Sequence, residues 1–177
     1  MKTFSYIRNF KTSGTIASSS IKAINRIVEN VLPNKPQLIV ELGSGSGAIT
    51  RQILDRMHPG SVLYAFEINN DFIGSLRSFK DRRLHVMPYS ALDILSHLEK
   101  GAVDLIISSL PLSFFKTASR EELLSSSNKA LKTGGCFNQL AFLYFPWYFG
   151  KNFRVARTDF MMLSFPPTFL YFCKKAI

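Results

Sequence analysis

Leu38-Ile39-Val40-Glu41-Leu42-Gly43-Ser44-Gly45-Ser46-Gly47 is the stretch on which the reading of this 177-residue chain turns. Leu38-Ile39-Val40 reads as a short buried strand, and residues 43–47 alternate glycine with serine. Glycine lets the backbone turn sharply and lets a ligand approach with no Cβ in the way. From Ala48 to about Met57 the pattern turns helical. A strand, a glycine loop and a helix in that order place a ligand at the carboxyl end of the strand. A second acid, Glu67, ends the strand Val62–Phe66, twenty residues beyond Gly47. There it is placed to accept hydrogen bonds from two ribose hydroxyls. The glycines are spaced G-x-G-x-G rather than G-x-G-x-x-G, and Glu41 stands two residues before the first of them. A carboxylate so near the turn repels a pyrophosphate and suits a ligand bearing ammonium and sulfonium charges.

Outward from this stretch, strands and helices alternate. Ser18-Ser19-Ser20 offers a helix N-cap, and Ile21, Ile24, Ile27, Val28 and Val31 recur at helical spacing until Pro33 and Pro36. His58-Pro59-Gly60 is a turn, and a helix is expected around Asp71 to Phe79. Leu84–Met87 and Val103–Ser108 read as the third and fourth strands, the latter leading to Leu110-Pro111. A helix over Arg120 to Lys132 is expected to stop at Gly134-Gly135. Cys136 to Tyr144 and Thr168 to Cys173 read as late strands, with a third over Phe160 to Leu163. The alternation predicts an α/β fold, a mostly parallel sheet with helices on both faces.

Composition excludes several classes. At 46% hydrophobic and 19% charged, the chain is too apolar for a disordered protein. Cys136 and Cys173 are too few for a disulfide scaffold or a multi-cysteine zinc site, and both are expected as buried thiols. His58, His85 and His97 show no metal-ligand spacing, so no metal is expected. The longest apolar stretch, Leu140 to Phe149, is broken by Pro146 and falls short of the roughly 20 residues of a membrane span. The first residues lack the apolar run of a signal peptide, which makes the cytoplasm the expected compartment. The net charge of +10 is uneven. Residues 1–35 carry six Lys or Arg against Glu29, residues 36–128 nine against ten acids, and residues 129–177 seven against Asp159. Basic surfaces attract phosphates of nucleic acids or of anionic headgroups. Both basic ends also carry aromatics: Phe4, Tyr6 and Phe10 at one, Tyr144 to Phe149 at the other.

The Glu41–Gly47 loop together with Glu67 resembles the class I S-adenosylmethionine-dependent methyltransferases, over roughly residues 18–177. The resemblance implies a Rossmann-like fold with a mostly parallel seven-stranded sheet. It implies S-adenosyl-L-methionine as cofactor, with S-adenosyl-L-homocysteine as product. Glu41, Leu42, Gly43, Ser44, Gly45 and Gly47 would line the methionine and ribose portion, and Glu67 would bind the ribose. Ile68, Ser90, Ala91 and Ser109 would complete the cofactor site. Tyr89-Ser90-Ala91 is similar to the segment that contacts adenine, with Ser90 where an Asp is common. Enzymes that methylate adenine bases resemble each other in an Asn/Asp-x-Pro-aromatic tetrad after the fourth strand. Here Ser109-Leu110-Pro111-Leu112 keeps the proline without the polar amide or the ring.

Ser-Leu-Pro-Leu is instead similar to the bacterial phospholipid N-methyltransferase family. The opening segment Asn9 to Ser20, with Ala17 where proline is usual, and the closing Phe165-Pro166-Pro167-Thr168-Phe169-Leu170-Tyr171 agree with it. That resemblance implies methyl transfer to the headgroup amine of phosphatidylethanolamine and a peripheral position at the inner face of the membrane. It divides the chain into a basic and aromatic arm, 1–17, and a methyltransferase domain, 18–177. Phe4, Ile7 and Phe10 recur every three residues beside Lys2, Arg8 and Lys11, as in an interfacial helix. Ser109, Leu110 and Tyr144 are the candidates for orienting the amine, with Tyr6 beside them. A membrane surface containing anionic lipid or phosphatidylethanolamine is the expected partner, with no obligate protein partner. Three alternatives stay open: an RNA adenine N-methyltransferase, a methyltransferase of small soluble amines, and a non-catalytic lipid- or RNA-binding protein on this fold. Enzymes that dimethylate ribosomal adenines carry a further C-terminal helical domain, for which this length leaves no room.

Overall fold

The computed structural model describes residues 14–162 and 167–175, with side chains from Ile21 onward. The apolar runs form seven strands: β1 (Leu38–Leu42), β2 (Val62–Phe66), β3 (Leu84–Met87), β4 (Val103–Ser108), β5 (Leu131–Ala141), β6 (Phe153–Met161) and β7 (Thr168–Lys175). Five helices accompany them: α1 (Gly14–Ile27), α2 (Ala48–Arg56), α3 (Asn70–Arg77), α4 (Ile94–His97) and α5 (Thr117–Ala130). One sheet results, in the order β3-β2-β1-β4-β5-β7-β6. β1 to β5 are mutually parallel, while β7 lies antiparallel between β5 and β6. The strand order reverses between β1 and β4, which sets the crevice for a ligand at their carboxyl ends.

Successive residues of the central strands face opposite layers. Val40, Leu42 and Ile106 join Leu123, Leu124 and Phe137 in a core beneath α4 and α5. Ile39, Leu105 and Ile107 join Ile27, Ile49, Ile53 and Leu170 in a second core beneath α1 and α2. Burial on both faces explains why these strands read as continuous apolar runs rather than alternating ones. Ions tie α1 to the far edge of the sheet. Arg26 bridges Glu29 at 2.9 Å and Asp159 at 2.6 Å, while Arg157 bridges the same two carboxylates.

Several expectations are corrected. α1 begins at Gly14, so Ser18-Ser19-Ser20 lie inside the helix, and Ile21 is half exposed rather than on the buried face. α5 passes directly into β5 at an extended Leu131, without a glycine stop. Gly134 and Gly135 lie within β5, where Gly134 has φ 78° and the register against β4 shifts between Val103 and Leu105. The glycine that looked like a cap serves a bulge. β6 starts at Phe153, seven residues before the expected Phe160. Cys173 is buried, and burial pushes its thiol up to about 12. Cys136 is only half buried, with Lys174 Nζ 3.0 Å from its sulfur. Phe4, Tyr6, Ile7, Phe10 and the closing Phe165-Pro166 lie outside the described residues. So does most of the 1–17 arm.

Candidate active site

The loop after β1 is held by its neighbours on both sides. Gly43 and Ser44 donate their amides to the Phe66 carbonyl at 2.9 and 3.1 Å. The Ser109 amide donates to Leu42 O at 3.1 Å, and the Ser109 hydroxyl donates to Gly43 O at 2.7 Å. Gly43, Gly45 and Gly47 all have positive φ, at 76°, 53° and 88°. A Cβ on Gly47 would stand 2.9 Å from two ring carbons of Phe79, so this glycine is needed for packing. A Cβ on Gly45 would meet nothing within 4 Å. The loop therefore opens at Gly45.

Two acids flank that opening. Glu41 is almost fully buried, and its Oε2 accepts a 2.6 Å hydrogen bond from the Thr50 hydroxyl of α2. Its Oε1 and the Ser44 hydroxyl are buried without a hydrogen-bond partner. Burial pushes the Glu41 carboxyl up to about 7, against the lowering effect of the Thr50 hydroxyl and of the Ser44 hydroxyl, which lies close to the carboxyl without a well-formed hydrogen bond to it. Glu67 accepts three backbone amides, Gly45 on Oε2 and Ile68 and Asn69 on Oε1, each at 2.8 Å. A carboxylate offers about four lone-pair sites, so Glu67 is held rigidly while keeping capacity for a further donor.

The orphaned oxygens, the opening at Gly45 and the clamped Glu67 fit a ligand with a cationic end and a ribose. Ile68 is exposed at the lip of the loop, beyond the end of β2. Ser90 caps a 3-10 turn over Ala91–Asp93 by accepting the Leu92 amide at 3.2 Å. Its oxygen thus serves the backbone, while Ala91 is half buried below. Tyr89 stacks on His97, ring centroids 4.0 Å apart.

The three acceptor-side candidates differ in what they do. The Ser109 hydroxyl, expected to point at an amine, is committed to Gly43 O and braces the glycine loop. The Leu110 carbonyl, expected to point at an amine, accepts the Gln139 side-chain amide and the Leu112 backbone amide, each at 2.9 Å. Tyr144 stands beyond the end of β5, exposed, with Trp147 and Phe169 as ring neighbours. Sequence spacing marks neither Gln139 nor Thr50, and it offers His97 only as one of three scattered histidines. A buried polar residue in an apolar strand, Gln139 between Asn138 and Leu140, is the one signal that points to any of them. Among the described residues no three His, Cys, Asp or Glu side chains gather as metal ligands would, and no helix is long and apolar enough to cross a membrane.

A family model described as a methyltransferase domain matches residues 40–137, from β1 into β5. The ornithine lipid N-methyltransferase of Singulisphaera acidiphila is 28% identical over 184 residues, spanning 97% of this chain and 95% of that protein. Ribosomal RNA small subunit methyltransferase A of Mycoplasma mycoides is 35% identical over 77 residues, 43% of this chain and 28% of that protein. Geranyl diphosphate C-methyltransferase of Streptomyces coelicolor, solved with S-adenosyl-L-homocysteine, Mg2+ and geranyl-S-thiolodiphosphate, shares the fold. Its TM-score is 0.68 at 11% identity, over 90% of this chain and 76% of that one.

Proposed function

This chain belongs to the methyltransferase-domain family and is an S-adenosylmethionine-dependent methyltransferase, and from that premise we propose that its acceptor is the headgroup amine of phosphatidylethanolamine, met at a membrane surface. One observation carries the lipid part of this reading, and the resemblance of Ser109-Leu110-Pro111-Leu112 narrows it to phosphatidylethanolamine. Similarity to a lipid N-methyltransferase runs from end to end of both chains, whereas similarity to a ribosomal RNA methyltransferase stops at 28% of that protein.

S-adenosylmethionine, when bound, supplies a methyl group already activated on a positively charged sulfonium. The protein therefore needs mainly to position the acceptor and exclude water. Glu41 and Ser44 offer buried oxygens to the cationic end. Leu42, Gly43, Gly45 and Gly47 line the methionine and ribose portion, and Glu67 takes a ribose hydroxyl on the remaining lone pair of Oε2. Ile68 and the Ser90-Ala91 segment flank the adenine. On the acceptor side, Ser109 acts through the loop it braces. The Leu110 carbonyl, held by the Gln139 side-chain amide and the Leu112 backbone amide, has both lone pairs engaged and acts by fixing the loop after β4. Tyr144 offers its ring face to a cationic headgroup, and the N-terminal residues 1–17 adsorb to the same surface.

Transfer of labelled methyl tests this reading, with vesicles containing phosphatidylethanolamine, total RNA and a mixture of small amines offered side by side. Label in the lipid fraction is the expected result. Label in RNA, or in the small amines alone, overturns the acceptor and leaves the cofactor assignment in place.

A further inference from the structure

Large apolar side chains are exposed unevenly over this surface. Of eleven such residues among those described, nine stand at the carboxyl edge of the sheet, where the cofactor loop opens; Ile21 and Leu32 are the exceptions. Six belong to the ends of β5 and β6 and the loops beyond them: Phe142, Leu143, Tyr144, Trp147, Phe160 and Met162. Trp147 is 67% exposed and Met162 70%. The rings run together. Trp147 to Tyr144, Tyr144 to Phe169 and Phe169 to Phe160 have centroids 6.2, 5.4 and 4.7 Å apart. Such a contiguous patch marks an interaction surface rather than scattered surface apolarity.

Its chemistry selects the partner. Residues 139–150 carry no charge, and Asp159 at the end of β6 is bridged by Arg26 and Arg157. Little ionic solvation is lost when the rim leaves water. Tyr and Trp are the residues enriched at membrane–water interfaces, where one end of the side chain is apolar and the other wet. The rim is also continuous with the site. It begins three residues after Gln139, whose amide holds Leu110 O at the end of β4. Lys174 and Lys175, by contrast, end β7 at the opposite edge, beside Arg154 at the start of β6. The C-terminal basic surplus and the aromatics therefore part company.

We propose that this rim is a lipid-contacting surface, which seats in the interface of a bilayer containing phosphatidylethanolamine and anionic lipid and turns the carboxyl edge toward the headgroups. The choice of a bilayer as partner rests on the lipid-acceptor reading above. The attachment is apolar and so withstands salt.

Trp147 is the single tryptophan of the chain and reports on the rim directly. With the full chain and vesicles of phosphatidylethanolamine and phosphatidylglycerol, its emission shifts to the blue and is quenched by lipids brominated on the acyl chain. Both effects persist at about 1 M salt, where the Debye length is about 3 Å. Phe142→Ser combined with Met162→Ser lowers vesicle affinity roughly tenfold or more, with calorimetric cofactor affinity unchanged. Absence of vesicle binding, attachment with unaltered Trp147 emission, or release by salt overturns the proposal. A blue shift that grows with protein concentration in the absence of lipid assigns the rim to a second copy and overturns it equally. Methyl transfer to short-chain phosphatidylethanolamine below its micelle concentration separates the two readings. Transfer without Trp147 insertion refutes the rim alone, and insertion without transfer to lipid refutes the acceptor alone.

Discussion

Gly45→Ala and Gly47→Ala, two residues apart in the same loop, are expected to fail in different ways. Gly45 at φ 53° sits in the ordinary left-handed region, and its added methyl would touch nothing within 4 Å. Its cost to stability is the left-handed penalty alone, about 1–2 kcal/mol. Gly47 at φ 88° lies further from that region, and its methyl would press on Phe79 at 2.9 Å and on Leu76 at 3.3 Å. Phe79 is half buried with the Arg51 guanidinium 4.6 Å from its ring centroid, so relief of that contact means displacing both side chains. Overpacking adds about 1–3 kcal/mol to the left-handed penalty, for a total of about 2–5 kcal/mol. Urea unfolding is expected to rank the variants with Gly47→Ala clearly lower. Calorimetric titration with S-adenosylmethionine is expected to show the larger affinity loss per unit of lost stability in Gly45→Ala, whose methyl occupies the opening. Equal stability losses, or wild-type cofactor affinity in Gly45→Ala, would refute the assignment of the opening.

Other expectations follow from the same site. Glu67→Ala removes the acceptor of three backbone amides, so it is expected to cost about 1–3 kcal/mol of stability as well as cofactor affinity, both read by urea unfolding and calorimetry. The Glu41 carboxyl, raised to about 7 by burial, makes the native state the tighter proton binder. Its contribution is present below the ordinary value near 4.5 and is lost as pH rises through about 7, a change of about 3 kcal/mol. Urea unfolding from pH 4.5 to 8 is expected to show that decline in wild type and its loss in Glu41→Gln. Cofactor affinity should rise over the same window as the carboxylate ionises toward a cationic ligand. Tyr171→Phe strips the hydroxyl that accepts the Phe145 amide at 2.7 Å and donates to Leu143 O at 3.2 Å; a loss of about 1–3 kcal/mol is expected in unfolding. Deleting residues 1–11 is expected to reduce vesicle sedimentation more than cofactor affinity, and equal sedimentation removes the arm as an anchor.

What could be read from the chain alone follows from which signals are local. Leu84–Met87 and Val103–Ser108 are strands at the boundaries expected; the second declares itself as an almost wholly buried apolar run, while the first, only half buried and with His85 exposed, shows as a short apolar run against a polar background. Glu41, the glycines and Glu67 come together because each sits at a strand end that the motif itself identifies. Failures occurred where tertiary pairing outweighs local propensity. Gly134-Gly135 read as a helix stop, yet β4 recruits that segment as the bulged start of β5. The first half of β6, Phe153 to Thr158, has only its two alternate apolar positions Phe153 and Val155 to betray it, since the strand pairs on one side alone. Ser109 and Leu110, the candidates for orienting an amine, do follow β4 directly in the chain. Their hydrogen bonds to Gly43 and Gln139 depend on strands that are remote in sequence, which spacing cannot express.

β7 is made after β6 but lies between β6 and β5. While the chain is being synthesised, β6 has no neighbour to pair with until β7 has emerged. Until then, β5 presents an open edge ending in Phe142, Leu143 and Tyr144. Non-local pairing of this kind is slow and leaves apolar edges exposed meanwhile. The interval before β7 docks is therefore when the nascent protein is most prone to stick to other chains. Substitutions that weaken the β5–β7 register, such as at Asn138 or Tyr171, should lower the yield of folded protein before they alter anything the finished enzyme does.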